Sequence, residues 1–121
     1  CDIIHLCGSD FDVFSGDDFT NYAILAVGGR GVISVTANIV PERIAAMWDA
    51  FAAGDHAASR DIHYRLLPLH DAMFLETNPI PVKTALGLMG KINPEMRLPL
   101  SPLAPANLDK LKRVLADYRL L

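Results

Sequence analysis

FDVFSGDDFTNYAILAVGGRGVISVTAN, residues 11–38, is the stretch that decides the fold class. Two short apolar runs, Phe11–Phe14 and Gly31–Val35, have the composition of β-strands. Between them, Phe19–Val27 has the composition of a helix that ends at a Gly-Gly pair. Strand, helix and strand in this order predict a βαβ unit with a right-handed crossover. Because Gly31–Val35 is apolar on both faces, we expect a parallel sheet that is covered by helices.

The segments on either side of this stretch are predicted to be helical. Residues 1–7 end before Gly8 and predict the tail of a helix, since glycine commonly follows a helix end. Beyond residue 38 the periodicity predicts four more helices. The first runs from Pro41 to Gly54, and the third from Pro79 to Met89. The second carries the apolar stripe Ile62, Leu66, Leu69 and Met73. The fourth begins at a cap at Asn107 and carries the stripe Leu108, Leu111, Leu115 and Tyr118.

The β part of the chain is too small to stand alone. Two parallel strands cannot cover both their faces and their edges. We therefore expect them to belong to a larger sheet or barrel. The sequence begins with Cys1 rather than Met, which leads to the same expectation that the natural N-terminus lies elsewhere.

Composition restricts the class of protein. The 121 residues are 51% hydrophobic and 21% charged, with a net charge of −3, so the chain can bury a core. The eleven basic residues form no run, and no apolar stretch approaches the roughly 20 residues of a membrane helix. We expect neither nucleic acid nor a membrane as a partner. Cys1 and Cys7 have neither a disulfide nor a zinc spacing, and no signal peptide is visible, so we expect a cytoplasmic protein with reduced thiols.

Polar residues follow both predicted strands. Ser15-Gly16-Asp17-Asp18 combines a glycine with the start of a helix, which suits a ligand that approaches the backbone, and an anion above all. The alternative is a tight turn in which Asp17 or Asp18 caps the next helix, and we prefer capping to acid–base catalysis for this pair. Ser34–Asn38 follows the second strand and either binds substrate oxygens or caps the helix near Pro41.

Three histidines and a lysine are the remaining candidates for chemistry. His56, His63 and His70 are spaced by seven residues, about 10 Å along a helix, which is too far apart for one metal ion. We interpret them as surface or interface residues and predict no metal site. Lys83 lies in an apolar helical setting. It is either a buried Schiff-base nucleophile or a side chain whose stem follows the helix while its amine reaches water.

Four segments, in their order and spacing, resemble the C-terminal part of the dihydrodipicolinate synthase family of pyruvate-dependent class I aldolases. They are Ser15-Gly16-Asp17-Asp18, residues 28–38 (GGRGVISVTAN), residues 78–83 (NPIPVK) and residues 97–100 (RLPL). The resemblance covers essentially all 121 residues. Related aldolases such as N-acetylneuraminate lyase share the fold, and the first and third segments favour the synthase. A non-catalytic module that binds a partner chain is the alternative from another class.

The resemblance implies an α/β fold, the C-terminal portion of a (β/α)8 TIM barrel with an appended helical domain. Residues 1–54 would be the end of the barrel, with Phe11–Phe14 as strand seven and Gly31–Val35 as strand eight. Residues 55–121 would be the C-terminal helical domain. The family is usually a homotetramer, so the implied partners are the remainder of the barrel and further copies of the chain.

The resemblance also implies an activity. The family condenses pyruvate with aspartate semialdehyde through a lysine Schiff base, in lysine biosynthesis and without a cofactor. By resemblance that lysine lies upstream of Cys1, so this chain holds no catalytic residue, Lys83 does not replace it, and the chain alone is expected to be inactive. Gly16, through its backbone, and Ile33, through apolar contact and its carbonyl, are the implied substrate-binding residues of the pyruvate pocket.

Overall fold

The protein, seen in a computed structural model that describes residues 1–8 and 10–121, is an α/β chain, mostly helical with two parallel strands. It consists of two compact units, Cys1–Leu66 and Leu67–Leu121. The elements are α1 (Asp2–Cys7), β1 (Phe14–Ser15), α2 (Asn21–Ala26), β2 (Gly31–Val32), α3 (Pro41–Ala52), α4 (His56–Met73), α5 (Ile80–Leu88) and α6 (Pro105–Asp117), with 3₁₀ turns at Asp18–Thr20 and Thr36–Asn38.

The predicted βαβ arrangement is confirmed in the first unit. β1 and β2 pair in parallel, with Phe14 opposite Gly31 and Ser15 opposite Val32. A Cβ atom added to Gly31 would lie 2.5 Å from the Phe14 ring, so this ring occupies the space that any larger residue would need. Glycine at this position therefore allows the aromatic ring to lie against the neighbouring strand.

Both strands are shorter than the sequence predicts. The predicted spans were Phe11–Phe14 and Gly31–Val35; the paired strands are Phe14–Ser15, which shares only Phe14 with the first span, and Gly31–Val32. At the end of β2 the backbone N–H groups of Val35 and Thr36 donate to the carboxylate of Asp18. These amides are therefore not available to a neighbouring strand, and the chain turns into the 3₁₀ segment Thr36–Asn38.

Helices α3 and α4 build the core of the first unit with residues that precede them. The predicted helix from Pro41 is confirmed, with Glu42 in its first turn. Two polar links accompany the apolar contacts: Trp48 Nε1 donates to Asn21 Oδ1 at 3.0 Å, and the buried Ser59 hydroxyl donates to the Met47 carbonyl at 2.8 Å. The buried apolar side chains of this unit are Leu25, Ile39, Val40, Ile44, Met47 and Leu66.

The three histidines were predicted to be surface or interface residues, and the surface alternative is wrong for two of them. His56 is exposed, but His63 and His70 are buried. A spacing of seven residues is two helical turns, so both side chains fall on the face of α4 that also carries Leu66 and Met73. Burial lowers the pKa of His63, because the charged imidazolium loses its hydration.

The second unit packs the end of α4 with α5 and α6. Of the predicted stripes, Leu69, Met73, Leu111 and Leu115 are buried in this unit, and Leu108 and Tyr118 are half-buried. The other buried apolar side chains of this unit are Ala72, Ile80, Val82, Ala85 and Leu103. The Lys83 amine donates to the Glu95 carbonyl, in a loop of the same unit. This hydrogen bond gives the Lys83 side chain a structural contact.

The predicted cap at Asn107 is wrong. Helix α6 begins at Pro105, after Ala104, so Asn107 lies inside the first turn. Its side-chain amide donates to Glu76 Oε1 at 2.9 Å, and the Ala104 N–H donates to the same oxygen at 2.9 Å. Glu76 therefore anchors the start of α6 from a distant position in the sequence.

No helix among residues 1–8 and 10–121 combines the length and the apolar character needed to cross a bilayer.

The anchor at Glu76 predicts a pH dependence. The Asn107 amide and then the Ala104 N–H hold the pKa of Glu76 below its usual value of 4.5, because both stabilise the carboxylate. The contribution to stability is thus present above pH 4.5 and is lost as the pH falls through the lowered pKa of the folded state. We expect Asn107→Ala to raise the pKa of Glu76 toward 4.5, as measured by carboxyl NMR titration.

Asn93→Ala is the matched control for this titration. Asn93 accepts a hydrogen bond from the Glu95 N–H at 3.2 Å and has no bond to Glu76. A pKa of Glu76 that stays unchanged in Asn107→Ala would contradict the assignment of the anchor.

Candidate functional site

The ends of the two parallel strands form the candidate site. The N–H of Ile33, the first residue after β2, donates to the carbonyl of Ser15, the last residue of β1, at 2.8 Å. Ser15 pairs with Val32, and continuing this pairing by one residue places Gly16 beside Ile33. Gly16 is exposed, and the Ile33 side chain is 71% exposed. The structure therefore brings the two residues predicted from the resemblance together and leaves both accessible.

Gly16 has open space in front of its backbone. A Cβ atom built on Gly16 meets no atom within 4 Å, and its φ angle lies outside the left-handed region that favours glycine. The backbone therefore does not require glycine at this position. Glycine at this position also lets another molecule come close to the main chain, and this reason for glycine does not involve backbone strain.

Asp17 takes the capping role that the sequence predicts for one residue of the acidic pair. Its Oδ1 accepts from the Phe19 N–H at 3.1 Å, at the start of the 3₁₀ turn Asp18–Thr20. The Ser15 hydroxyl accepts from the Asp17 N–H at 3.0 Å and lies 2.7 Å from Thr20 Oγ1. The turn after β1 is therefore stabilised by short-range hydrogen bonds.

Asp18 has a different role, which the sequence does not reveal. Its side chain is 1% exposed, and its carboxylate accepts from the Ser34 hydroxyl, from the Val35 N–H at 2.9 Å and from the Thr36 N–H at 3.0 Å. All three donors follow β2, whereas Asp18 follows β1. The carboxylate thus joins the two strand ends. A buried carboxylate with three donors is well satisfied, and removal of an acceptor would leave buried N–H groups unpaired.

The polar side chains of Ser34 and Asn38, after β2, form hydrogen bonds within the turn that follows this strand. Besides its bond to Asp18, the Ser34 hydroxyl accepts from the Ala37 N–H at 2.8 Å. The Asn38 side-chain amide donates to the Val35 carbonyl at 3.0 Å. Helix α3 has no side-chain cap at its first residue, so the predicted cap near Pro41 is wrong. The side chains of Ser34 and Asn38 stabilise the 3₁₀ turn instead.

The strand-end unit, residues 15–18 and 33–36 of the first unit, offers backbone and apolar groups to a ligand. Residues 1–66 contain no lysine, because all four lysines (Lys83, Lys91, Lys110 and Lys112) belong to the second unit. Among the groups exposed at the strand ends are the Gly16 backbone and the apolar Ile33 side chain. Within the part of the chain that the structure describes, no three His, Cys, Asp or Glu side chains are grouped to hold a metal ion. The arrangement suits a small organic molecule that contacts backbone and an apolar wall.

Comparison with known proteins identifies relatives along the whole chain. The model of a family described as the dihydrodipicolinate synthetase family matches residues 1–118. The 4-hydroxy-tetrahydrodipicolinate synthase of Nitratidesulfovibrio vulgaris (strain DP4) is 58% identical over 120 residues, which are 99% of this chain and 41% of the relative. The chain therefore spans about two fifths of the length of this relative.

Solved structures agree with the sequence relatives. The dihydrodipicolinate synthase from Thermotoga maritima is 42% identical with a TM-score of 0.94, over 99% of this chain and 41% of that one. The chloride-inhibited dihydrodipicolinate synthase from Acinetobacter baumannii, solved in complex with pyruvate, is 37% identical with a TM-score of 0.93, again over 99% of this chain and 41% of that one. At these identities the likeness extends beyond the fold to the family.

The buried carboxylate predicts a large difference between two neighbouring substitutions. Asp18→Asn replaces an acceptor oxygen by an amide that faces donors, so we expect the free energy of unfolding to fall by about 1–3 kcal/mol. Asp17→Asn is the control, because asparagine caps about as well as aspartate, and we expect a change within about 0.5 kcal/mol. Urea unfolding followed by the fluorescence of Trp48, the one tryptophan, measures both in the first unit. Equal effects of the two variants would contradict the role assigned to Asp18.

Proposed function

The chain belongs to the dihydrodipicolinate synthetase family, and from this membership we propose that it acts as the C-terminal part of a 4-hydroxy-tetrahydrodipicolinate synthase. In this proposal the enzyme condenses pyruvate with aspartate semialdehyde, and this chain supplies one wall of the pyruvate pocket. The observation that carries the proposal is the pair of accessible strand ends, where Gly16 and Ile33 lie side by side after two parallel strands.

We propose that β1 and β2 are strands seven and eight of a (β/α)8 barrel. In such barrels the ligand lies at the carboxyl ends of the strands, which is the end where Gly16 and Ile33 are found. The exposed apolar side chains Phe11, Phe14 and Ile33 support a larger barrel, because an isolated unit would leave them in water. The domain boundary near residue 54, with a helical domain over residues 55–121, is part of the same proposal.

In the proposed reaction a lysine from the rest of the barrel attacks the keto carbon of pyruvate. Loss of water gives the Schiff base, and loss of a methyl proton gives the enamine carbon that attacks the aldehyde. Gly16 contributes room for the substrate at its backbone, and Ile33 contributes apolar contact and its carbonyl. The chemistry requires no cofactor. A homotetramer in the cytoplasm completes the proposal.

A related aldolase is the other candidate on this fold. The relative that is 58% identical carries the name of the synthase, which favours condensation with aspartate semialdehyde over the reaction of N-acetylneuraminate lyase. A module that only binds a partner chain has no comparable support, because the similarity extends over 99% of the chain.

A hybrid enzyme tests the proposed function. We replace the matching segment of the Nitratidesulfovibrio vulgaris synthase with these 121 residues and expect condensation of pyruvate with aspartate semialdehyde. Borohydride with pyruvate should attach an adduct to a lysine of the Nitratidesulfovibrio part, because residues 1–66 contain no lysine and Lys83 is bound to the Glu95 carbonyl. Mass spectrometry locates the adduct, and the 121-residue chain alone is the control that should remain unmodified. A folded hybrid without an adduct, or an adduct on Lys83, would overturn the proposal.

Gly16→Val in the hybrid examines the pocket itself. We expect KM for pyruvate to rise by at least about tenfold, equivalent to about 1.4 kcal/mol, because the side chain fills space in front of the main chain. Folding should be little affected, since Gly16 has open space and no left-handed φ angle. Steady-state kinetics and thermal melting separate the two effects.

Gly54→Ala is the matched control for Gly16→Val. Gly54 also has no atom within 4 Å of a built Cβ, but its φ angle is 82°, so alanine there is strained by about 1–2 kcal/mol. This control should lower the melting temperature and leave KM unchanged. An unchanged KM in a well-folded Gly16→Val enzyme would remove Gly16 from the pocket.

A further inference from the structure

We propose that Asp18 is a positioning residue for the pyruvate pocket, an inference that rests on the proposed function. Its side chain is 1% exposed and so lies away from any molecule in the cleft. It acts through its hydrogen bonds, which hold the two substrate-contacting residues in fixed relation to each other. The residues that it positions are Gly16 and Ile33.

Gly16 and Ile33 lie between two sets of hydrogen bonds that join the two strand ends. On the side of the strands, the Ile33 N–H donates to the Ser15 carbonyl at 2.8 Å. On the far side, the Asp18 carboxylate accepts from the Ser34 hydroxyl and the Val35 N–H. Gly16 lies between Ser15 and Asp18 in the chain, and Ile33 precedes Ser34. Neither can shift without stretching one of these links.

The second link determines the direction of the Ile33 carbonyl. This carbonyl shares a planar peptide unit with the Ser34 nitrogen, and planarity couples its direction to the position of Ser34. The Ser34 hydroxyl is held twice, by its bond to Asp18 and by the Ala37 N–H. A change at Asp18 therefore reaches Ile33 through one residue.

The chemistry of the carboxylate suits this task. A carboxylate presents acceptors in several directions, and here it uses them for two backbone N–H groups and one hydroxyl. Bonds to a carboxylate are stronger than those between neutral groups, and the buried setting excludes water as a competing donor. An asparagine has one acceptor oxygen, and its NH₂ group would face donors. Displacements of about 1 Å at a binding site are sufficient to lower enzyme efficiency by about 100-fold.

Kinetics of the hybrid enzyme test the inference. We expect Asp18→Asn to raise KM for pyruvate by about 10- to 100-fold, while kcat falls by a smaller factor and KM for aspartate semialdehyde stays within about twofold. Ser34→Ala removes one donor and leaves both amides, so KM for pyruvate should rise by about three- to tenfold. Because Ser34 acts through Asp18, the double variant should have about the same KM as Asp18→Asn alone.

A merely structural role gives a different pattern. Partial unfolding lowers the concentration of active enzyme, so kcat per total enzyme falls while KM for pyruvate is unchanged. Ile44→Val provides this reference, because Ile44 is a buried core residue of α3 with no bond to the strand ends. It should lower the melting temperature without a change in KM.

The outcomes separate this inference from the proposed function. If the unsubstituted hybrid traps pyruvate normally and KM for pyruvate stays within about twofold in Ser34→Ala and in folded Asp18→Asn, the inference is overturned and the proposed function stands. If Asp18→Asn does not fold, the KM for pyruvate of Ser34→Ala alone decides whether the inference stands. If the unsubstituted hybrid traps no pyruvate, the proposed function fails and the positioning role fails with it.

Discussion

The buried carboxylate of Asp18 is the interaction on which the strand-end unit depends. A carboxylate without water requires donors, and all three of its donors come from the segment after the other strand. The side chain therefore connects two parts of the chain that are 16 to 18 residues apart. Beyond β2 the amides of Val35 and Thr36 are bound to Asp18, so this segment turns into the 3₁₀ segment Thr36–Asn38 and does not continue the predicted strand.

Polar side chains organise irregular segments in the second unit as well. Glu76 accepts from the Ala104 N–H and the Asn107 amide at the start of α6. Lys83 donates to the Glu95 carbonyl in the loop that follows α5. Loops lack the regular backbone bonds of helices and sheets, so side chains must satisfy part of their polar groups. The apolar core fixes where the helices pack, and these few polar bonds determine the course of the chain between them.

The lysines of this chain and its two strand ends belong to different parts of the sequence. The strand-end unit offers backbone and an apolar surface but no lysine, and the lysines of the second unit are remote from it in sequence. A Schiff base requires an amine beside the bound ketone. The exposed Phe11, Phe14 and Ile33 also favour contact with further strands. In the proposed function, the amine and the neighbouring strands come from the rest of the barrel.

The sequence by itself determined the elements that local patterns encode. The alternation of apolar runs with glycine pairs predicted the parallel βαβ arrangement, and the spacing of Leu66, Leu69 and Met73 predicted a helix with one buried face. The family resemblance of the sequence implied Gly16 and Ile33 as residues of one pocket, and the structure brings these two residues together. Their role in binding pyruvate is still a prediction, because contact with a substrate is a property of a complex.

Only the tertiary structure decided which polar groups meet. Asp17 and Asp18 are adjacent and chemically identical in the sequence, yet one caps a turn at the surface and the other is buried across the strand ends. His63 was predicted to be a surface or interface residue, but the packing of the first unit buries it. Asparagine is a common capping residue, but the Asn107 side chain donates a hydrogen bond to Glu76. Propensity and periodicity depend on neighbours within one or two turns, whereas these roles depend on donors and acceptors that come close only when the whole unit has packed.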